Sequence, residues 1–147
     1  MDKKDESIIK ILKEDSKLST QQISKRANIP ITTVHHRIKK LEKEGVIKKY
    51  TVILDNKKSG KAIGAYVLIT VDYRLLKEKN MSQQQLSEKL KAMDSVEEAA
   101  MVTGETDIII KARVADIDEL DRLVTKTLRN IEGVEKTRTM VILNETP

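Results

Sequence analysis

The apolar positions at the front of the chain fall at helical spacing. In "DESIIKILKED", Ile8, Ile9, Ile11 and Leu12 fill one side of a helix, and Asp2, Asp5 and Glu6 suit its N-terminal dipole. "LSTQQI" opens a second helix, with Ser19 as cap, Gln22 reaching back and Leu18 stapling against Ile23. This helix ends by Asn28, with Pro30 just beyond it. In "TTVHHRIKKLEKEG", Val34, Ile38 and Leu41 recur at i, i+4 and i+7, a single narrow stripe. Thr32, His36, Lys39 and Lys40 lie opposite that stripe, with Thr33 and His35 on its flanks. The start of this third helix falls between Pro30 and Thr32. Gly45 fits the left-handed position after it, where Val46 is expected to pack back on Leu41. The segment "VIKKYTVILD" then reads as a strand, and "NKKSGKAIG" as a linker with Asn56, Ser59 and Gly60 as turn residues.

Beyond the linker the pattern duplicates at an offset of 38 residues: Leu86 falls on Val124, Leu90 on Leu128, Met93 on Ile131, Val96 on Val134 and Glu97 on Glu135. Each copy reads strand, helix, strand. The first is "AYVLITVD", a helix from Ser82 to about Ala92, then "SVEEAAMVT". The second is "TDIIIKARV", a helix from Asp116 to about Asn130, then "VEKTRTMVIL". Ser82 with Gln85, and Asp116 with Glu119, are capping pairs; Met81 can staple to Leu86. Two such units predict a ferredoxin-like split fold, a four-stranded antiparallel sheet under two helices. "AYVLITV" and "DIII" are apolar on both faces, so the face without helices is expected to be buried against another copy of the chain. The fold class is therefore α+β. A helix-turn-helix domain with a wing-like strand (1–54) precedes a linker (55–62) and a ferredoxin-like βαββαβ domain (63–147).

Charge changes the picture by being uneven. Residues 1–60 carry 15 Lys/Arg against 8 Asp/Glu; residues 61–147 carry 13 against 15. A basic front half suggests that this half alone meets a polyanion. A short helix, a tight turn and a second helix with a basic outer face can lay that second helix in the major groove of DNA. Thr32, Thr33, His35 and His36 are the candidate base readers, and Ser19 and Thr20 at the start of the preceding helix join the candidate contacts. Arg37, Lys39 and Lys40 are expected on phosphates, as are Lys48 and Lys49 from the wing. The alternative is a solvated basic face of a small helical bundle.

The chain has no cysteine and two adjacent histidines that diverge on a helix, so no metal site is expected. No apolar stretch is long enough to span a membrane and no signal-peptide core follows Met1, so a soluble cytoplasmic protein is expected. No nucleophile–base pair, phosphate-binding loop or cofactor motif is evident, which argues against an enzyme. In "MVTGETDIIIKARV" the polar break Gly104, Glu105, Thr106 and Asp107 reads as a turn between strands, or as a small ligand loop.

The order of these parts resembles the Lrp/AsnC (feast/famine) family of transcriptional regulators over essentially the whole chain. The likeness is carried by "DESIIKILKEDSKLSTQQISKRANIPITTVHHRIKKLEKEGVIKKYTVILD", "VTGETDIIIKARV" and "IEGVEKTRTMVIL". It implies a bacterial or archaeal regulator, with an archaeal source expected, that binds promoter DNA in the nucleoid. It also implies dimers assembling to octamers or larger, an amino-acid or related effector, and contact with basal transcription factors. Thr103, Gly104, Glu105, Thr106 and Asp107 match the loop that lines the family's effector pocket. By that likeness, the loop's backbone N–H groups would receive a carboxylate and Asp107 would pair with an amino group. Thr137 and Thr139 resemble a second wall. Where relatives often place an aromatic residue before the aspartate, this chain has Thr106, which makes the pocket more open or more polar. The competing function is an architectural DNA-compacting protein of low sequence specificity.

Overall fold

A computed structural model describes residues 1–146. It divides into two compact units, Met1–Ile53 and the remainder from Leu54.

The first unit holds three helices: α1 (Lys3–Glu14), α2 (Thr20–Ala27) and α3 (Ile31–Lys43). Ile8, Ile11, Ile23, Ile29 and Val34 form its buried core, with Leu12, Leu18, Ala27 and Ile38 packed around them. Local chemistry sets each boundary. Asp2 caps α1 in a reciprocal box with Asp5, and Ser19 caps α2 in a box with Gln22. Asn28 ends α2 in the left-handed region at φ 54°, a conformation that asparagine tolerates better than most residues. Pro30 precedes α3 without a side-chain cap, so the helix begins at Ile31. After α3, Gly45 at φ 72° lets the Ile47 N–H return to the Leu41 carbonyl at 3.1 Å. Ile47, rather than the exposed Val46, therefore makes the backbone return.

The expected strand "VIKKYTVILD" is not formed. Residues 48–55 carry no regular secondary structure, and Tyr50, Val52, Ile53 and Leu54 are exposed, Ile53 to 98%. The physical reason is pairing: β-branched residues favour a strand, but no neighbouring strand in the chain meets this one.

The second unit is the expected split fold. Strands β1 (Ile63–Val71), β2 (Val96–Met101), β3 (Ile108–Val114) and β4 (Val134–Val141) pair antiparallel in the order β2-β3-β1-β4. Ala65, Val67 and Ile69 of β1 sit opposite Ala112, Ile110 and Ile108 of β3. This row is fully buried beneath Leu86 and Leu90 of α5 (Gln83–Lys91) and beneath Leu120, Leu123 and Leu128. The last helical stretch differs from expectation in its geometry. It opens as α6 (Ile117–Asp121), capped by Asp116, widens to π-type turns over Arg122–Thr127 and tightens over Leu128–Asn130. A short helix the pattern did not reveal, α4 (Tyr73–Glu78), follows β1 and is capped by Asp72.

On the other sheet face, Tyr66, Leu68 and Ile109 are partly exposed and Met140 is half exposed. One end of that face is charged. Arg113, 6% exposed, bonds Glu97 at 3.1 Å and Glu145 at 2.8 Å, and Lys111 bonds Glu145 at 2.9 Å. Arg113 lies so close over β1 that a Cβ on Gly64 would stand 2.6 Å from its guanidinium.

Candidate DNA-reading face and effector loop

The core fixes α3 by one stripe and leaves its other side free. Val34 and Leu41 are buried and Ile38 partly so, whereas Thr32, His35, His36, Lys39 and Lys40 are exposed and Thr33 partly so. Lys39 reaches Glu42 at 3.1 Å and Lys40 reaches Glu44 at 3.8 Å. Exposed pairs of this kind contribute little and exchange readily for phosphate. The turn Asn28–Pro30 sets α3 against α2, and the Ser24 hydroxyl donates to the Ile29 carbonyl to hold it. This is a helix-turn-helix with its second helix presented outward.

Two candidate contacts on this face are already engaged. The Ser19 hydroxyl accepts from the Gln22 N–H at 3.2 Å, so its side chain serves the cap, while Thr20 follows at the first helical position. Arg37 does not project to solvent as a phosphate contact. Its Nη1 donates to Asp2 Oδ2 at 2.6 Å and to Asp5 Oδ1 at 2.8 Å, beside a largely buried Asp5. Arg37 lies on the flank of α3 nearest the start of α1, and the two cap carboxylates there outcompete solvent. The Arg37 guanidinium holds the Asp5 carboxyl below its ordinary range; the Asp5 N–H, and then Arg37, do the same for Asp2. The spacing assigns these acids a local role at the helix dipole, and nothing in it shows a partner more than thirty residues away. Lys48 and Lys49 are exposed, but on an extended segment rather than a wing strand. The Tyr50 hydroxyl donates to Glu42 at 2.9 Å, a contact that residue spacing does not reveal.

In the second unit the polar break is longer than four residues. β2 ends at Met101 and β3 starts at Ile108, and the Val102 N–H donates to the Asp107 carbonyl at 2.9 Å to close the loop. Thr103, Gly104 and Glu105 are exposed, Thr106 is partly buried, and Gly104 takes φ 107° with open space around it. Asp107 turns inward. Its N–H donates to the Ile69 carbonyl at 3.0 Å, Oδ2 accepts from the Val71 N–H at 2.8 Å, and Oδ1 accepts from the Tyr73 hydroxyl at 2.7 Å. Gln83 Nε2 donates to the Asp107 carbonyl at 3.0 Å. Asp107 is thus the tie between β1, α4, α5 and the loop. The hydrogen bond to its carboxylate raises the Tyr73 phenol above the ordinary tyrosine range.

Thr137 and Thr139 are not brought to this network. They pair in register with Ile69 and Val67 and so lie on the helix-covered face, where the Thr139 hydroxyl is enclosed without a hydrogen-bond partner. Strand alternation, rather than proximity in the sequence pattern, decides which wall they form. Among the described residues no cluster of His, Asp and Glu could hold a metal ion, and no helix is long and apolar enough to cross a membrane.

Comparison with known proteins places both units. Residues 1–48 match the "winged helix-turn-helix DNA-binding" family, and residues 65–146 match the "Lrp/AsnC ligand binding domain". An HTH-type transcriptional regulator of Pyrococcus furiosus is 36% identical over 141 residues, covering 96% of this chain and 91% of the relative. The HTH-type transcriptional regulator FL11 of Pyrococcus horikoshii is 34% identical over 143 residues, covering 97% and 89%. Among solved structures, Bacillus subtilis LrpC superposes with a TM-score of 0.83 at 25% identity, covering 100% of this chain and 97% of that one. The Neisseria meningitidis regulator solved with L-Met superposes at 0.88 and 22% identity, covering 100% and 92%, a likeness of fold. From the outward-facing α3 to the βαββαβ unit that follows it in sequence, this chain belongs to the Lrp/AsnC family and is a DNA-binding transcriptional regulator.

Proposed function

We propose that the protein binds promoter DNA sequence-specifically as a homodimer, with α3 in the major groove and a small amino-acid effector held at residues 103–107. The observation that carries the DNA reading is the free side of α3. Thr32, Thr33, His35 and His36 stand clear of the core near the helix N-terminus, where base edges are read, and Lys39 and Lys40 follow toward the phosphates. Two surfaces support the dimer: the open sheet face around Tyr66, Leu68 and Ile109, and the unpaired apolar segment Tyr50–Leu54. A two-fold copy would cover the first and pair the second, and it would present two reading helices to two half-sites. Assembly of dimers to octamers and contact with basal transcription factors belong to the same reading, as does action in the cytoplasm on the nucleoid. The assignment is binding, not catalysis.

The effector reading rests on the exposed backbone at Gly104 in the loop that ends at Asp107, and on a relative in fold that was solved with L-Met. The excess of cations in residues 1–60 favours one competitor, a DNA-compacting protein of low specificity. Footprinting on the DNA upstream of its own gene, with excess competitor DNA, separates the two. Protection phased at about one helical turn and resistant to competitor is the expected result. Uniform protection lost to competitor would favour compaction. A shift of the footprint with a pool of amino acids would support the effector.

A further inference from the structure

The Tyr73 hydroxyl sits between two acceptors. It lies 2.7 Å from Asp107 Oδ1 and 3.1 Å from Gln83 Oε1. A phenol has one proton, so it can donate to only one of them, and the carboxylate has the stronger claim. Turning the Gln83 amide over does not solve this. Its Nε2 would then meet the phenol oxygen, but its Oε1 would face the Asp107 carbonyl 3.0 Å away, again acceptor against acceptor. The site has one acceptor more than its donors can serve.

An ammonium group removes the mismatch. It carries three N–H donors and a positive charge, and a nitrogen placed where the Tyr73 oxygen stands would reach both Asp107 Oδ1 and Gln83 Oε1 at hydrogen-bond distance. Tyr73 is able to leave. It is the first residue of the six-residue helix α4 and is 57% exposed, with no place in the buried core. Asp107 cannot leave, because Oδ2 and its backbone are bonded to β1.

We propose that Tyr73 is a gate. Its hydroxyl is a placeholder in a primary-ammonium site built by Asp107 and Gln83, and an entering ligand displaces it. The proposal rests on the effector reading above and adds its gate residue and the second acceptor.

The test is calorimetric titration of the full-length protein with the proteinogenic α-amino acids, repeated with the N-acetyl form of any that binds. Thermal unfolding of each variant checks its fold. Tyr73→Phe keeps the ring and removes the placeholder, so affinity should rise several-fold. Gln83→Met should lower it roughly tenfold, the effect of losing one hydrogen bond to a charged group. Asp107→Asn should abolish binding, and the N-acetyl forms should not bind. Amino-acid binding by Tyr73→Phe where the unsubstituted protein shows none would also support the gate. Weaker binding by a folded Tyr73→Phe would make the hydroxyl a direct ligand contact and overturn it. Unchanged affinity, with Asp107→Asn still inactive, would overturn the gate and leave the effector site standing. No binding by the unsubstituted protein or by Tyr73→Phe would remove the effector reading and the gate together.

Discussion

Arg37 and Lys39 lie two positions apart on one helix and meet different environments. Lys39 faces solvent with only a loose partner, whereas Arg37 is held by Asp2 and Asp5. Arg37→Ala should therefore lower the thermal midpoint of the first unit by a few degrees, because it strands the largely buried Asp5. The salt dependence of DNA binding should stay as it was. Lys39→Ala should leave the midpoint alone and reduce the salt slope by about 1, measured as log affinity against log salt. Glu145 makes a pH prediction. Lys111, and then Arg113, hold its carboxyl down to about 2. A depressed carboxylate adds stability above its unfolded pKa, near the ordinary glutamate value, and loses it as pH falls through the folded value. Glu145→Gln should thus lose most of its effect below pH 2, with the difference between the two proteins shrinking from about pH 4.5 downward. Acid unfolding followed by circular dichroism measures it.

At the scale of elements, local chemistry was legible and long-range chemistry was not. The boxes at Ser19 and Ser82, the end of α2 at Asn28 and the left-handed Gly45 depend on residues within one turn, so sequence spacing exposes them. The duplication predicted every strand of the sheet because each copy repeats its own buried row. The strand expected over "VIKKYTVILD" does not form within the single chain because strand formation needs a partner that apolar spacing does not supply. The ties of Asp107 to Tyr73 and Gln83 stayed hidden for a similar reason: a pattern shows that an aspartate ends a turn, not where its oxygens point. α4 escaped because six residues carry too little period. Its packing nonetheless dictates Gly133, which takes φ 96° and lies so near Leu76 that an added Cβ would stand 2.6 Å from it. Gly133→Ala should cost about 2 kcal/mol or more, from backbone strain and displaced Leu76, read by denaturant unfolding.

For the whole molecule, the division of charge and the open sheet face point to different partners. Residues 1–60 carry the net positive charge and face a polyanion, while the sheet face presents apolar side chains at its centre and paired charges at one end. Leu68→Asp places a carboxylate in that apolar centre without touching the helix-covered core. With the dimer proposed above, it should shift the protein from dimer to monomer by sedimentation equilibrium and weaken DNA binding at least tenfold, since two half-sites would no longer be joined. A Leu68→Asp protein that stays dimeric would place the interface elsewhere.

The exposed run from Tyr50 to Leu54 also bears on how the chain survives synthesis. In the proposed dimer this run is covered, but a newly made single copy presents Val52, Ile53 and Leu54 to water. Such a stretch is rich in β-forming residues and is a nucleus for aggregation. It is bracketed by Lys48 and Lys49 on one side and by Asp55, Lys57 and Lys58 on the other. These charges act as gatekeepers: they make indiscriminate stacking of many chains repulsive while leaving a single antiparallel pairing open. Replacing them with alanine would leave the fold of one chain almost untouched and still lower the yield of usable protein in the cell.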